Sequence, residues 1–300
     1  MAIKFRNYTG GPGFDGDYEA VRRFLIDLNR QQAATPGFLW GRWEWFFSLT
    51  FNALDPASLS RIGLWEDGGR IVALCTYEGN FGEAYFCVDE RYPSLKDELV
   101  AYAKRRMGKD GRSLVLVPDT DRELQRAAFA LGYRPTQEKE CTAALDITDE
   151  TVRYSLPEGY SVTSLADDYD LGKYHHVLWK GFNHGDNPPD TPEELESRRV
   201  SLSGPNANLH NNIATVTPDG QFASYCGTWY EPGTDWALVE PVATDPKYRR
   251  MGLGRAAVLE AVRRCGLQGA KRAFVGSSQQ FYYSIGFYPW CTETFWELKL

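Results

Sequence analysis

The residues with the clearest chemical purpose run Val242-Ala243-Thr244-Asp245-Pro246-Lys247-Tyr248-Arg249-Arg250-Met251-Gly252-Leu253-Gly254-Arg255-Ala256. An apolar strand enters a basic turn, the turn carries two glycines, and an amphipathic helix follows. Such a backbone is suited to hold a phosphate. Glycines let the main chain approach an anion closely, and the first N–H groups of a helix have no partner inside it. The helix dipole also favours negative charge there. Lys247, Arg249, Arg250 and Arg255 add positive charge in a chain whose net charge is −7. The stretch therefore predicts a phosphorylated ligand.

The elements that must position this turn belong to a soluble globular chain. Its 300 residues suffice for two domains, each with its own core. The acidic balance argues against a nucleic-acid partner, which needs a basic face. No apolar run approaches the length of a membrane span, and the start lacks an apolar signal core, so a cytoplasmic location without membrane contact is expected. Cys75, Cys87, Cys141, Cys226, Cys265 and Cys291 form no C-x-x-C pair and read as reduced core cysteines. His175 and His176 are adjacent, so they face different sides of a helix, and no metal site is expected.

The chain carries an internal repeat. In its first half, strands are expected at 70–77, 83–88 and 113–117, with helices at 94–107 and 122–131, the second closed by Gly132. In its second half, strands are expected at 221–229, 236–243, 272–275 and 294–300. Helices are expected at 252–265 and 279–285, the second closed by Gly286. On the 252–265 helix, Leu253, Ala257, Val258, Ala261, Val262 and Cys265 share one face. Cys75 and Cys226 lie 151 residues apart, Gly132 and Gly286 154, and Cys141 and Cys291 150. Three such pairs in one element order point to duplication, with a linker near 148–159. Alternating strands and helices predict an α/β (α+β) architecture: two tandem domains, 1–147 and 148–300, each a mixed sheet flanked by helices.

Gly252-x-Gly254-x-x-Ala257 also fits a dinucleotide fingerprint, but a basic segment separates it from the strand. An acid for the ribose is expected roughly 20 residues on, and 271–280 contains none. A P-loop fails as well, because no Lys-Ser or Lys-Thr follows the second glycine. Arg249-x-x-Gly252-x-Gly254, between strand and helix, instead resembles the acetyl-CoA-binding motif of the GNAT superfamily of N-acetyltransferases. Phe281-Tyr282-Tyr283-Ser284-Ile285-Gly286-Phe287 resembles that family's second signature, Tyr-x-x-x-Gly-Phe. The two are correctly ordered and separated by one helix and one strand.

The resemblance implies a mostly antiparallel sheet in each domain and acetyl-CoA as acetyl donor, without a metal. Backbone groups of Val242 and Thr244 would pair with the pantetheine arm and thioester. Backbone N–H groups of Arg249, Arg250, Gly252, Leu253, Gly254 and Arg255 would cradle the pyrophosphate, and Tyr282 would serve as general acid to the leaving thiolate. The family's usual asparagine is missing, with Ser277, Ser278 and Gln279 in its region. The first half reads Asp89-Glu90-Arg91-Tyr92-Pro93-Ser94 where the phosphate turn belongs and has Ala128 in the place of Tyr282, so 1–147 is expected to be a degenerate copy without acetyl-CoA.

Transfer to a primary amine, on a small molecule or a peptide, needs a base because an ammonium is no nucleophile. Glu240, a carboxylate inside an otherwise apolar strand, is the candidate base; an ion pair at a sheet edge is the plainer alternative. The acceptor is expected at Trp179, Phe182, His184 and Asp186. The aromatic run 38–47 reads as core or as the face between domains. A non-catalytic acyl-CoA sensor or partner module is the competing function, and the pattern leaves an oligomer open.

Overall fold

The computed structural model describes residues 3–31, 38–49 and 54–300. The chain forms two compact units. One comprises residues 1–142 and 290–300, the other 143–289. The units follow the same order of elements, which accounts for the repeat.

In unit 1, β1 (Lys4–Asn7) precedes α1 (Tyr18–Gln31), α2 (Trp40–Leu49) and the short α3 (Pro56–Leu59). An antiparallel meander of β2 (Gly63–Asp67), β3 (Arg70–Thr76) and β4 (Glu83–Val88) follows. Then come α4 (Leu95–Arg106), β5 (Arg112–Pro118), α5 (Arg122–Ala130) and β6 (Arg134–Asp146). The aromatic run forms α2, and Trp43, Phe46 and Phe47 are fully buried. Most of that run is therefore core of unit 1.

In unit 2, β7 (Ser161–Ser164) leads to α6 (Leu171–Gly181) and α7 (Pro192–Ser201). Asp170 and Thr191 cap these helices by accepting from the N–H groups of Lys173 and Glu194. β8 (Ile213–Val216), β9 (Phe222–Tyr230) and β10 (Trp236–Thr244) form the antiparallel meander. α8 (Leu253–Leu267), β11 (Arg272–Val275), α9 (Gln280–Ser284) and β12 (Tyr288–Lys299) complete the order. The apolar face expected on α8 is buried, and so are Ala256, Leu259 and Glu260 beside it. Among the described residues no helix is long and apolar enough to cross a membrane.

The sheets are mixed and mostly antiparallel. In each unit one parallel pair separates early. β4 pairs with β5 only at Glu83–Ala84, and β10 pairs with β11 only at Trp236–Leu238. Beyond these points the strands splay and leave backbone groups without a parallel neighbour.

The linker does not lie at 148–159. Val152 is buried in the core of unit 2, and the Tyr154 hydroxyl donates to Glu260 at 3.1 Å. The chain passes between units inside β6, whose residues 143–146 pair with β11 in unit 2. The last strand makes the opposite passage: Glu293–Lys299 of β12 pair with β5 in unit 1. Each unit is thus completed by a strand that the sequence order assigns to the other, so units and sequence halves differ at both boundaries.

Candidate active site

The phosphate-type turn of unit 2 is built by local chemistry. The Asp245 carboxylate accepts from the Lys247 N–H at 2.9 Å and turns the chain out of β10. Arg250 then adopts φ +64° and Gly252 φ +82°. A left-handed arginine is uncommon and strained, a feature that clusters at ligand sites. The first hydrogen bond of α8 runs from the Ala256 N–H to the Gly252 carbonyl at 2.9 Å. The N–H groups of Leu253, Gly254 and Arg255 therefore precede the helical ladder and point out of its end.

The two glycines serve different needs. A Cβ at Gly252 would meet nothing within 4 Å, so this glycine supplies the backbone conformation. A Cβ at Gly254 would lie 2.7 Å from the Thr244 hydroxyl, so that glycine supplies close approach of helix to strand. Arg249 has a bracing role. Its N–H is donated to Pro246 at 3.3 Å. Its guanidinium donates to the carbonyls of Thr244 and Gly181 and to the Asn183 side chain, at 3.2, 3.0 and 3.1 Å. Backbone donors left for an anion thus begin at Arg250, one residue later than the pattern implies. Arg255 donates to the Arg153 carbonyl at 3.2 Å.

Above the splay, β10 bulges. Its register against β9 shifts between Val239 and Val242, and Glu240 and the cis-peptide Pro241 form the irregularity. A Cβ at Gly227 would lie 2.7 Å from the Glu240 carbonyl, so that glycine admits the bulge. Glu240 is half-buried. Tyr282, in the middle of α9, is only 7% exposed and packs in the same core as Cys226 and Val239. Burial pushes its phenol well above the usual range, and the charges of Cys226 and Glu240 add to the push. The two residues proposed for proton transfer are therefore near enough to act on each other. The turn before α9 closes without the family's asparagine: the Ser277 hydroxyl accepts from the Gln279 N–H at 3.2 Å.

The end of α6 packs on the last residues of β10. Gly181 packs so tightly on β10 that a Cβ there would lie 2.7 Å from Ala243 Cβ. This places the segment after α6 beside the strand. Trp179 and His184 have ring centroids 5.3 Å apart, and Phe182 lies 6.4 Å from His184. Phe182, His184 and Asp186 are exposed. Sequence reasoning missed His175, which is fully buried and accepts from Arg198 Nε at 3.1 Å through Nδ1. That bond puts its proton on Nε2, a buried atom without a partner among the described residues, as is the Trp179 indole nitrogen. The adjacent histidines do face different sides; His176 meets Asp190 at 2.8 Å.

Unit 1 has the corresponding positions without this machinery. Asp89 accepts from the Arg91 N–H at 3.0 Å, as Asp245 does two residues on. Only five residues then separate Asp89 from Leu95 at the start of α4, against seven between Asp245 and Leu253. The shorter turn contains no residue at positive φ. β4 pairs with β3 without a bulge.

A splayed parallel pair, a bulged strand before it and a glycine-rich turn into a helix together form the candidate site of unit 2. Residues 173–289 match the model of the Acetyltransferase (GNAT) family, a stretch that lies within unit 2. Solved structures agree on the fold across the chain. An acetyltransferase from GNAT family from Colwellia psychrerythraea is 10% identical, with TM-score 0.60 and full coverage of both chains. A GCN5-related N-acetyltransferase from Sphaerobacter thermophilus is 14% identical, with TM-score 0.58 over 99% of this chain and 95% of that one. A tandem GNAT protein from the clavulanic acid biosynthesis pathway is 14% identical, with TM-score 0.58 over 99% and 98%. No curated protein matches the sequence.

Proposed function

We propose that unit 2 transfers an acetyl group from acetyl-CoA to a primary amine in a ternary complex, and that unit 1 binds no acetyl-CoA. The observation that carries this reading is the unsatisfied helix start at Leu253–Arg255 beside a splayed strand. The turn offers backbone donors for a pyrophosphate, and the splay offers the backbone of Val242 and Thr244 for an extended amide-bearing arm. Acetyl-CoA supplies the acetyl group as a thioester.

The chain's own residues then have defined tasks. Glu240 takes a proton from the incoming ammonium and frees its lone pair. The nitrogen forms its bond to the acetyl carbon as the carbonyl electron pair moves to oxygen; when that oxyanion collapses the carbon–sulfur bond breaks, and the nitrogen releases its second proton to solvent. Backbone N–H groups at the splay stabilise the transient oxyanion, an effect of roughly 3 kcal/mol for each well-placed donor. Tyr282, kept protonated by its burial, donates a hydrogen bond to the sulfur. That bond strengthens as charge builds there, and the proton passes to the departing thiolate. Trp179, Phe182, His184 and Asp186 receive the amine, with Asp186 as its counter-charge.

Isothermal titration with acetyl-CoA, against CoA and NAD, tests the reading. One micromolar site per chain supports it, two sites overturn the silent assignment of unit 1, and absence of binding overturns the whole. Binding without turnover across an amine panel would instead identify a non-catalytic acyl-CoA sensor.

A further inference from the structure

The first helix of each unit meets the strand that leads into its turn differently. In unit 2, Lys180 near the end of α6 lies 3.7 Å from Asp245, and Gly181 packs on β10. In unit 1 the corresponding Asp89 accepts from Arg91 Nε at 2.9 Å, and among the described residues no side chain of α1 pairs with it. A cavity of about 280 Å³ remains open there, lined by α1, the β2–β3 turn and the start of the shortened turn. That volume is close to the lower limit of small-molecule sites, about 300 Å³.

The cavity has an apolar wall and a charged rim. Phe24 and Leu28 of α1 are buried beside it, and Ile71 of β3 is half-buried. Arg23 and Asp27 share that face of α1, three and four residues from their neighbours. Four arginines line the cavity against three acids, one positive charge in excess. Each acid already has an arginine. Glu66 accepts from Arg6 at 2.9 Å, Asp89 from Arg91, and Asp27 from Arg30 of its own helix at 3.4 Å. Arg6 is committed further to Asp17, at 2.6 and 2.8 Å.

Two lining arginines are left. Arg23 reaches Glu19 at 3.4 Å with both side chains in water, a contact of little worth. Arg70 opens β3, and its guanidinium has no hydrogen-bond or ion-pair partner among the described residues. Asp89 attracts it from beyond pairing distance, but Asp89 is already held by Arg91. A free cation therefore borders a cavity with an apolar wall.

We propose that unit 1 binds a small monocarboxylate with a short hydrocarbon chain in this cavity, its carboxylate on Arg70 and its chain against Phe24, Leu28 and Ile71. A guanidinium presents paired N–H donors that match the two oxygens of a carboxylate. Arg23 adds positive charge to the same rim. One charge in excess suits a monoanion, while the three acids oppose the second charge of a phosphate. The apolar wall rewards a hydrocarbon chain, which a bare anion lacks. In unit 2 the longer turn presents backbone donors; in unit 1 the shorter turn lends side chains to the wall of a different site. The inference does not depend on acetyl transfer by unit 2.

The test is calorimetric titration of the full chain with sodium hexanoate, with 1-hexanol and inorganic phosphate as comparisons. One saturable hexanoate site per chain is expected, with weaker binding of both comparison ligands. Arg70→Gln should bind hexanoate at least about tenfold more weakly, since the paired donors are lost. Arg112→Gln removes the same charge from an exposed site outside the cavity and should bind hexanoate as the unaltered chain does. Undiminished binding by Arg70→Gln, or equal weakening by Arg112→Gln, would overturn the proposal. So would hexanol or phosphate binding as tightly as hexanoate, or no saturable heat with the unaltered chain.

Discussion

The two units close their helices in the same way and differ in what those helices present. The Phe287 N–H bonds the Tyr282 carbonyl at 3.1 Å, and the Tyr133 N–H bonds the Ala128 carbonyl at 3.1 Å. Gly286 and Gly132 take φ +110° and +98° to allow it. Ala128 therefore stands where Tyr282 stands, and the phenol is gone. The turns show the same contrast: both start on an aspartate that accepts from the N–H two residues on, but unit 1 lacks two residues and both left-handed positions. A fold can keep its closures, which packing requires, while losing the groups that only a ligand requires.

The largest effect that would break this comparison is at Gly254. A valine there would drive side-chain atoms into Thr244 and the Phe281 ring, 2.7 and 3.5 Å from the first added carbon. Gly254→Val is expected to remove measurable acetyl-CoA binding in calorimetry while the far-ultraviolet spectrum stays native. Gly252→Ala should weaken binding far less, because its Cβ meets open space and the cost is the strained φ alone. Retained affinity in a folded Gly254→Val protein would place the cofactor elsewhere, unit 1 included.

Next in size is Tyr282→Phe. Turnover should fall about 10²-fold, with little change in the Michaelis constant for acetyl-CoA, because the lost contact forms mainly as the thiolate departs. Unimpaired turnover would mean that Tyr282 is only a buried aromatic, and the difference from Ala128 would then concern packing.

Much of this contrast was legible in the chain. The turn 244–255, the Tyr282 signature and their loss in the first half are local patterns, fixed by glycines, charges and helix ends. The strands and helices from 70 to 131 and from 221 to 285 follow apolar periodicity and fall within a few residues of expectation, whereas the last strand, expected from 294, begins at Tyr288. What stayed hidden depends on distant partners. β12 pairs with β5 across some 180 residues of sequence, and no periodicity encodes that choice. His175 looked like half of an uninformative pair, because only Arg198 on α7 reveals its tautomer. Arg249 looked like a phosphate ligand because it is basic and near glycines, yet its acceptors Gly181 and Asn183 lie more than sixty residues away.

That brace gives a third, smaller effect. Arg249→Ala removes three hydrogen bonds that hold the end of α6 on β10. A loosened acceptor segment should cost about 10-fold in kcat/KM, chiefly through the Michaelis constant for the amine. Arg249→Lys should rescue little, since an ammonium cannot reproduce the fork that reaches Gly181 and Asn183 together. Weakened acetyl-CoA binding with an unchanged amine constant would show instead that Arg249 serves the phosphates.

The smallest effect concerns stability and contrasts one buried glutamate from each unit. Glu260 of unit 2 is 4% exposed and accepts from Arg263 at 2.7 and 2.8 Å, from Arg264 at 2.9 Å and from Tyr154 at 3.1 Å. Burial opposes its ionisation, but these donors hold it below the usual carboxylate range. Its contribution is therefore fully present above the ordinary value of 4.5 and is lost as pH falls through the lowered value. Glu293 of unit 1 is raised instead, to about 7. Between 4.5 and 7 the folded state keeps a proton that the unfolded state has lost, so stability falls as pH rises through this window. Glu293→Gln should thus raise the melting temperature at pH 8, by the equivalent of at most about 3 kcal/mol, and leave it nearly unchanged at pH 4.5. Glu260→Gln should lower it at pH 8, since two arginines lose their counter-charge. Thermal melts of both variants at the two pH values separate the cases. Equal destabilisation by both at pH 8 would mean that Glu293 is a paired structural acid like Glu260, and the contrast between the units would then end at their ligand turns.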